Sequence, residues 1–534
     1  MEEKIDHNAK SVSPPVFQIA PSSAALTPIL NERTGGRSLI VNPKVTVEAS
    51  HDSLYNPSMS IRAGGFRRWR NASACVLLIP AFLTSCSAFA PPSLPSLPSL
   101  GPPSEDEEVR IGREFRREAK KQLKFVNNPE LERYVERIGQ RILSTMGPQP
   151  FDYRFFVIED SQLNAFAVPG GSIYLYTGLM ERARSTDEIA GVLGHEIVHI
   201  KGHHMARSSG PDAISILSLL SMVLLARSGS GAQAAGAVGQ AVAATRQIAY
   251  SRQLEMEADT LGVRYMAAAG YDPKGSLGFL KTLDQERALN PIDVPAYLLT
   301  HPVTQERVAN VEQILRSLGK AEPRSDQPDP LKRMQIIIRM ERRDGDAVLN
   351  EYQKLLGQNP QNAELLHLLA FAQQLKGQLP QAQKNYEKAR HIDPDNAALQ
   401  RDLARLYTQI GDVASARAAF DRALALEPKE ALTYLYLGEL FEKEGDLRTA
   451  AGAYLNAHNF SALWDKPAYR LGVVYGKLNR LGDAHYYLGR SFVLQDEDEK
   501  AIANFERALK IIGENSPRGE LIKEELKTLK ARRK

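Results

Sequence analysis

Cysteine is nearly absent from this 534-residue chain: there are two, Cys75 and Cys86, both towards the N-terminus. The body after them can form no disulfide and no thiolate metal site, so a metal ion there would need histidine and carboxylate ligands. Long apolar runs are lacking too. The run over 74–83 has ten residues broken by Pro80 and the run over 213–226 has fourteen, against about 20 for a membrane-spanning helix. Charge is close to balance at +4. No basic cluster carries interleaved aromatics, so nothing argues for a nucleic-acid partner. The length leaves room for two or more domains with full cores.

The N-terminus reads as a targeting segment. Residues 1–58 are rich in Ser, Pro, Asn and Gly without a period and are expected to be an upstream or disordered stretch, with Met59 as the true start. Arg62, Arg67, Arg68 and Arg70 then precede the short apolar run, so 59–85 has the layout of a secretory signal. Its end, Leu83-Thr84-Ser85-Cys86, resembles the bacterial lipoprotein box. That likeness makes Cys86 a lipidated N-terminus. With Ser87 rather than Asp next, it points to the inner leaflet of the outer membrane, facing the periplasm. Residues 86–106, with repeated Pro-Ser-Leu, read as a semi-rigid spacer.

From Glu107 to Met146 the apolar spacing is helical, and 153–158 and 172–176 read as strands, with Pro169-Gly170-Gly171 supplying a turn. The region 213–244 suggests a helical hairpin or lid. A further helix is expected from about Thr245 to Ala269, stopped by Gly270. A Pro/Asp-rich break over 322–330 separates a first domain, 107–321, from the C-terminal part. There the chain repeats: Gly377, Gly411 and Gly445 are 34 apart, as are Ala382, Ala416 and Ala450, and Tyr386, Phe420 and Tyr454. Pro360, Pro394 and Pro428 keep the same step, and Asn479 takes the next glycine position. This is the tetratricopeptide period, expected over 331–513, with 514–534 as a charged tail. The fold expected is mainly α: an α+β domain with a small sheet, then an α-solenoid. A solenoid of helix pairs is a binding surface with no chemistry of its own.

Chemistry is concentrated in His195-Glu196-Ile197-Val198-His199, an HExxH motif. Two histidines four apart lie on one helix face and can reach one zinc ion, with the glutamate beside the metal-bound water as general base. Ser185 and Glu188 form a capping box for this helix, and Ile189, Val192, Leu193, Ile197 and Ile200 give it an apolar stripe. A third ligand is still needed. His203, on the same face, would sit about 12 Å from His195 along an unbroken helix, so His203 and His204 read as helix-end or supporting residues. In Ser251-Arg252-Gln253-Leu254-Glu255-Met256-Glu257-Ala258-Asp259, Glu255 can ligate zinc while Asp259, one turn on, accepts a hydrogen bond from a ligand imidazole.

HExxH with Glu-x-Glu-Ala-Asp some sixty residues later resembles the gluzincin metallopeptidases, which include the CAAX prenyl endopeptidases and HtpX-like proteases. The likeness runs from about Glu107 to the C-terminus and extends to members that carry C-terminal tetratricopeptide repeats. It implies one zinc ion held by His195, His199 and Glu255, selecting Glu255 over Glu257. It also implies a substrate strand at Asn164, Ala165 and Phe166, where a peptide adds to the sheet. Thr300-His301-Pro302 with Arg307 is similar to a further element near the zinc. There His301 either stabilises the oxyanion or caps the zinc in a latent state, and Arg307 helps the tetrahedral intermediate. The activity implied is a zinc endopeptidase acting on unfolded or misassembled outer-membrane proteins. The rival is an assembly scaffold with a latent site, docked through its repeats on the outer-membrane β-barrel assembly machinery. A membrane-embedded CAAX-type peptidase is disfavoured by the missing spans.

Overall fold

A computed structural model describes residues 103–208, 250–289, 295–319 and 329–532. The expectations for the N-terminal segment, for Cys86 and its lipid, and for the 213–244 hairpin lie outside these residues. Among the described residues, 21 helices accompany one three-stranded sheet, so the chain is mainly α. None of those helices is long and apolar enough to cross a membrane.

The helical pattern over 107–146 is two helices, α1 (Glu105–Gln122) and α2 (Pro129–Leu143). The break has a local cause. Val126 donates to the Val157 carbonyl at 2.9 Å and Phe125 bridges to Ile158, while Pro129 lacks an N–H and can only open a new helix. Three strands come next: β1 (Arg154–Ile158), β2 (Ala165–Val168) and β3 (Ser172–Tyr176). Their order is β1-β3-β2, with β1 parallel and β2 antiparallel to β3, which leaves β2 on an edge. The turn into β3 uses Gly170 at φ 79° and Gly171 at φ 99°. A Cβ on Gly170 would also stand 2.5 Å from the Glu108 carbonyl oxygen, so only glycine fits.

After α3 (Thr177–Arg182) comes α4 (Thr186–Lys201), which carries the HExxH motif and is buried except at Asp187 and Lys201. It is apolar all round rather than striped, as befits a helix in the middle of a core. Only half the expected capping box forms. Glu188 N–H donates to Ser185 Oγ (3.3 Å), but the Glu188 carboxylate accepts from Arg184 N–H (2.9 Å). The first region continues with α5 (His204–Ser208), α6 (Arg252–Ala268), α7 (Lys274–Leu289), α8 (Ala296–Thr300) and α9 (Gln305–Leu318). Of the helix expected from about Thr245 to Ala269, 245–249 lie outside the described residues; α6 begins at Arg252, where Ser251 is extended and caps Leu254 N–H.

From Pro330 to Ala531 six helix pairs succeed one another. Between the two helices of each pair stands a residue with positive φ: Arg343, Gly377, Gly411, Gly445, Asn479 and Gly513. These are spaced by 34, so the period runs further in both directions than the glycine column shows. The expected charged tail is corrected accordingly. Pro517–Ala531 is a helix whose Ile522, Leu526 and Leu529 pack on Ala501, Phe505 and Ala508; its many charges lie on the other face.

The repeats pack directly on this first region. Glu130, at the start of α2, is buried among the first helices of three pairs. It accepts from Arg333 Nε (2.7 Å), Arg405 Nη1 (2.6 Å) and Tyr436 Oη (3.3 Å). Arg333 also pairs with Asp402, which accepts from His367 as well, and lies 3.5 Å over the Phe371 ring. A second seam joins Arg116 of α1 bidentately to Asp496 (2.7 and 2.8 Å).

Burial alone would raise the carboxyl pKa of Glu130 and Asp402. Arg333 with Arg405, and Arg333 with Arg401 and His367, hold both below the usual range instead. Groups with lowered folded pKa stabilise the fold above their unfolded value, near pH 4, and lose that contribution as pH falls below it. Asp402→Asn should therefore cost about 3 kcal/mol or more in urea unfolding at pH 7, because it strips one partner from a buried ion network. The gap from wild type should narrow below pH 4.

Candidate metal centre

The centre is made by a close approach of α4 and α6. A Cβ on Gly194 would lie 3.0 Å from the Gly262 carbonyl oxygen, and one on Gly262 would lie 3.0 Å from Gly194 C. With no side chain at either point the two backbones nearly touch, and His195 and His199 face Glu255 and Asp259. On the other side Gly191 fits against Ser276 of α7.

Four side chains converge: His195, His199, Glu255 and His301 each offer one ligand atom, all within 4.8 Å of one another, and all four are buried. His195 Nε2 and His199 Nε2 are 2.9 Å apart. Glu255 lies 3.3 Å from His199 Nε2 and 3.6 Å from His195 Nε2. His301 Nδ1 is 2.9 Å from Glu255 Oε1 and 3.3 Å from His195 Nε2. Glu196 is fully buried beside them, and among the described residues neither carboxylate oxygen is hydrogen-bonded and the cation-capable neighbour is His301 Nε2 at 3.6 Å.

Asp259 Oδ1 lies 3.0 Å from His195 Nδ1, so the neutral imidazole would keep its proton on Nδ1 and turn the Nε2 lone pair to the cluster. Arg307 sits behind the carboxylates. It grips Asp259 through Nε (2.7 Å) and Nη2 (2.8 Å), and its Nη1 is 2.7 Å from Glu255. Its remaining contact is the Pro302 carbonyl (3.0 Å). The donors expected to serve a substrate oxyanion are thus engaged by the two acids and the Pro302 carbonyl. His203 is not in the cluster; it lies at φ 51° with Nδ1 2.7 Å from Glu108.

Two aromatic walls had no signal in the sequence. Tyr250 stacks on His199 at 3.9 Å between centroids and Tyr297 on His301 at 4.5 Å. Tyr250 stands in extended chain before a cap, where no period could flag it. Asn164, Ala165 and Phe166 lead through the edge strand β2, whose far end, Ala167 to Pro169, shares a small recess with His199 and Tyr250.

Electrostatics fit a cation. Three buried carboxylates, Glu196, Glu255 and Asp259, face one buried guanidinium, Arg307. Burial would lower the His195 pKa, but Glu255 and Asp259 outweigh it and push it up to about 9. Burial holds His199 well below its ordinary value and so keeps it neutral. Burial would raise Glu255; His301, His195 and Arg307 instead hold it well below the carboxylate range. Two imidazole nitrogens and a carboxylate are a donor set suited to zinc.

Residues 129–315 match the model of Peptidase family M48, and 375–437 that of the tetratricopeptide repeat. The chain is 31% identical over 288 residues to the putative beta-barrel assembly-enhancing protease of Vibrio cholerae, covering 50% of this chain and 58% of that one. It is 32% identical over 231 residues to the beta-barrel assembly-enhancing protease of Escherichia coli K12, covering 41% and 47%. It is 28% identical over 183 residues to the mitochondrial metalloendopeptidase OMA1 of Schizosaccharomyces pombe, covering 34% and 52%. The chain thus spans about half the length of the relatives it matches.

Widening the α4–α6 contact should dismantle the centre without touching a ligand. Gly262→Val is expected to cost about 1–3 kcal/mol by overpacking and to lower the zinc content of the purified chain. Thermal melting and metal analysis check both.

Proposed function

From a chain that carries a peptidase family M48 domain ahead of tetratricopeptide repeats, we propose a zinc-dependent endopeptidase. The observation that carries this is the buried set His195, His199, Glu255 and His301 beside the unpartnered carboxylate of Glu196. In this reading His195, His199 and Glu255 hold the zinc. When bound, the ion supplies a Lewis acid that polarises the scissile carbonyl and acidifies water. Glu196 takes the proton of the attacking water and delivers it to the leaving amine, and its lack of any other hydrogen-bond partner leaves it free to do so. Asp259 fixes the His195 tautomer, and Arg307 fixes Asp259 and Glu255.

His301 acts as a cap. A catalytic zinc site keeps one position open, and His301, whose Nδ1 stands among the other donors, would fill it with the ion bound, so that the site would be latent until His301 withdrew. The close contacts of His301 Nδ1 favour this over an oxyanion role. Substrate would add as a strand along β2 at Asn164, Ala165 and Phe166, whose outer edge carries no strand among the described residues. Unfolded or misassembled outer-membrane proteins suit such an edge, and two of the relatives are named for β-barrel assembly. The compartment is then the periplasm, with Cys86 as a lipid anchor in the outer membrane and the β-barrel assembly machinery as a partner of the repeats. The scaffold reading draws on the same cap: a chain latent at rest could serve assembly without cleaving.

Zinc content and cleavage of an unfolded β-barrel protein test this together. Glu196→Gln should keep about one zinc and lose activity by about 100- to 10,000-fold, while Glu255→Ala should lose the zinc. Wild-type protein without zinc would remove the metal reading, and zinc with no cleavage in any variant would favour the scaffold. His301→Ala should raise cleavage by emptying the fourth position; a fall would return His301 to the oxyanion.

A further inference from the structure

Each zinc-facing imidazole has a second ring nitrogen, and its partner decides the tautomer. For His195 that partner is Asp259. For His199 it is another histidine: His204 Nδ1 lies 3.0 Å from His199 Nδ1, with the rings edge to face at 4.8 Å. We propose that His204 is the positioning residue of His199, the inner end of a line His199–His204–Glu257 that carries its orientation to the surface. This rests on His199 being a metal ligand, the reading proposed for the centre.

The chain goes to some length to put His204 there. Helix α4 ends at Lys201, Gly202 caps it, and His203 takes a left-handed φ of 51°, uncommon for a residue with a side chain. His203 is pinned in that conformation by Glu108 (2.7 Å) and by the edge-on ring of Phe151. The reversal starts α5 at His204 and folds its imidazole back against His199, where it is fully buried. Gly202 makes the space: a Cβ there would stand 2.3 Å from His204 Nε2 and 2.5 Å from its Cδ2. A ring kept merely to fill volume would not need a side-chain-free position and a left-handed neighbour to admit it.

These contacts fix the proton arrangement. With Nε2 of His199 given to the metal, its Nδ1 carries the proton and donates to His204 Nδ1. His204 would then carry its proton on Nε2, which lies 3.5 Å from the Glu257 carboxylate, within ion-pair range and short of a hydrogen bond. Glu257, partly exposed, is held in turn by Arg207 at 3.3 Å. The alternation Glu255, Glu257 thus has a division of labour: the first acid faces the metal donors, and the second stands behind a ligand's partner.

Zinc affinity of the full chain, measured by competition with a chromophoric chelator, tests this without recourse to activity. His204→Leu removes the acceptor at similar volume and should weaken zinc by about 10- to 100-fold. His204→Asn keeps an acceptor at the Nδ1 position and should stay much closer to wild type. A purely structural role would instead lower the melting temperature of the chelated chain in both variants alike and leave their zinc affinities equal. Equal affinity of His204→Leu and wild type overturns the proposal. If His204→Leu does not fold, Glu257→Gln, at a partly exposed site, carries the test: it should loosen zinc, and no change overturns the line to the surface. Wild-type protein that binds no zinc defeats the metal reading itself, and the inference with it.

Discussion

The contact on which the rest depends is the one between the backbones of Gly194 and Gly262. It sets the histidine helix against the acid helix, and His199 Nε2 and Glu255 stand 3.3 Å apart. Ordinary helix pairs are separated by about 8–10 Å between axes, and a methyl group at either glycine forces the pair towards that distance. Asp259 and Arg307 depend on the same contact. Once Glu255 is inward, Asp259 one turn on lies beside His195, and a single guanidinium can reach both acids.

The second constraint joins that core to the repeats. Helix α2 packs between them: Tyr134 Oη meets Thr186 Oγ1 at 3.0 Å at the start of α4, while Glu130 is buried among Arg333, Arg405 and Tyr436. Asp329 ties the same end, accepting from the N–H of Thr186 (2.9 Å) and of Leu331 (2.9 Å) and so capping α4 and the first repeat helix together. Glu132 continues the pattern, accepting from Trp464 and Lys466. The face made by the first helices of four repeats is thus occupied by the chain's own helix. A partner that used those same residues would have to compete with α2.

Whatever rests on spacing within one element could be read in advance. The 34-residue period, the pair His195 and His199, and the acid pair Glu255 and Asp259 are all of this kind. Contacts between elements could not be read. Arg307 looked available for an oxyanion because sequence gives no sign that Asp259 and Glu255 would take up its donors. The last helix was hidden because Lys and Glu dominate 517–531, and only Ile522, Leu526 and Leu529 mark its inner face. On an unbroken helix His203, not His204, would be the one-turn neighbour of His199, and spacing alone carries no sign of a break. The contact of His204 with His199 needs the left-handed turn at His203, which Glu108 of α1 holds in place.

The charge balance of the centre links its chemistry to its stability. Glu196, Glu255 and Asp259 bring three carboxyl groups into a buried region, against the one guanidinium of Arg307. Unpaired buried charge costs several kcal/mol per ion, so the fold must either protonate these groups or admit a cation. Without metal, the proton drawn onto His195 offsets part of the excess. A divalent ion offsets two charges at once and releases that proton. Binding of metal and folding of the α4–α6 pair are therefore coupled: the ion that completes the donor set also relieves the carboxylates that the close helix contact brings together.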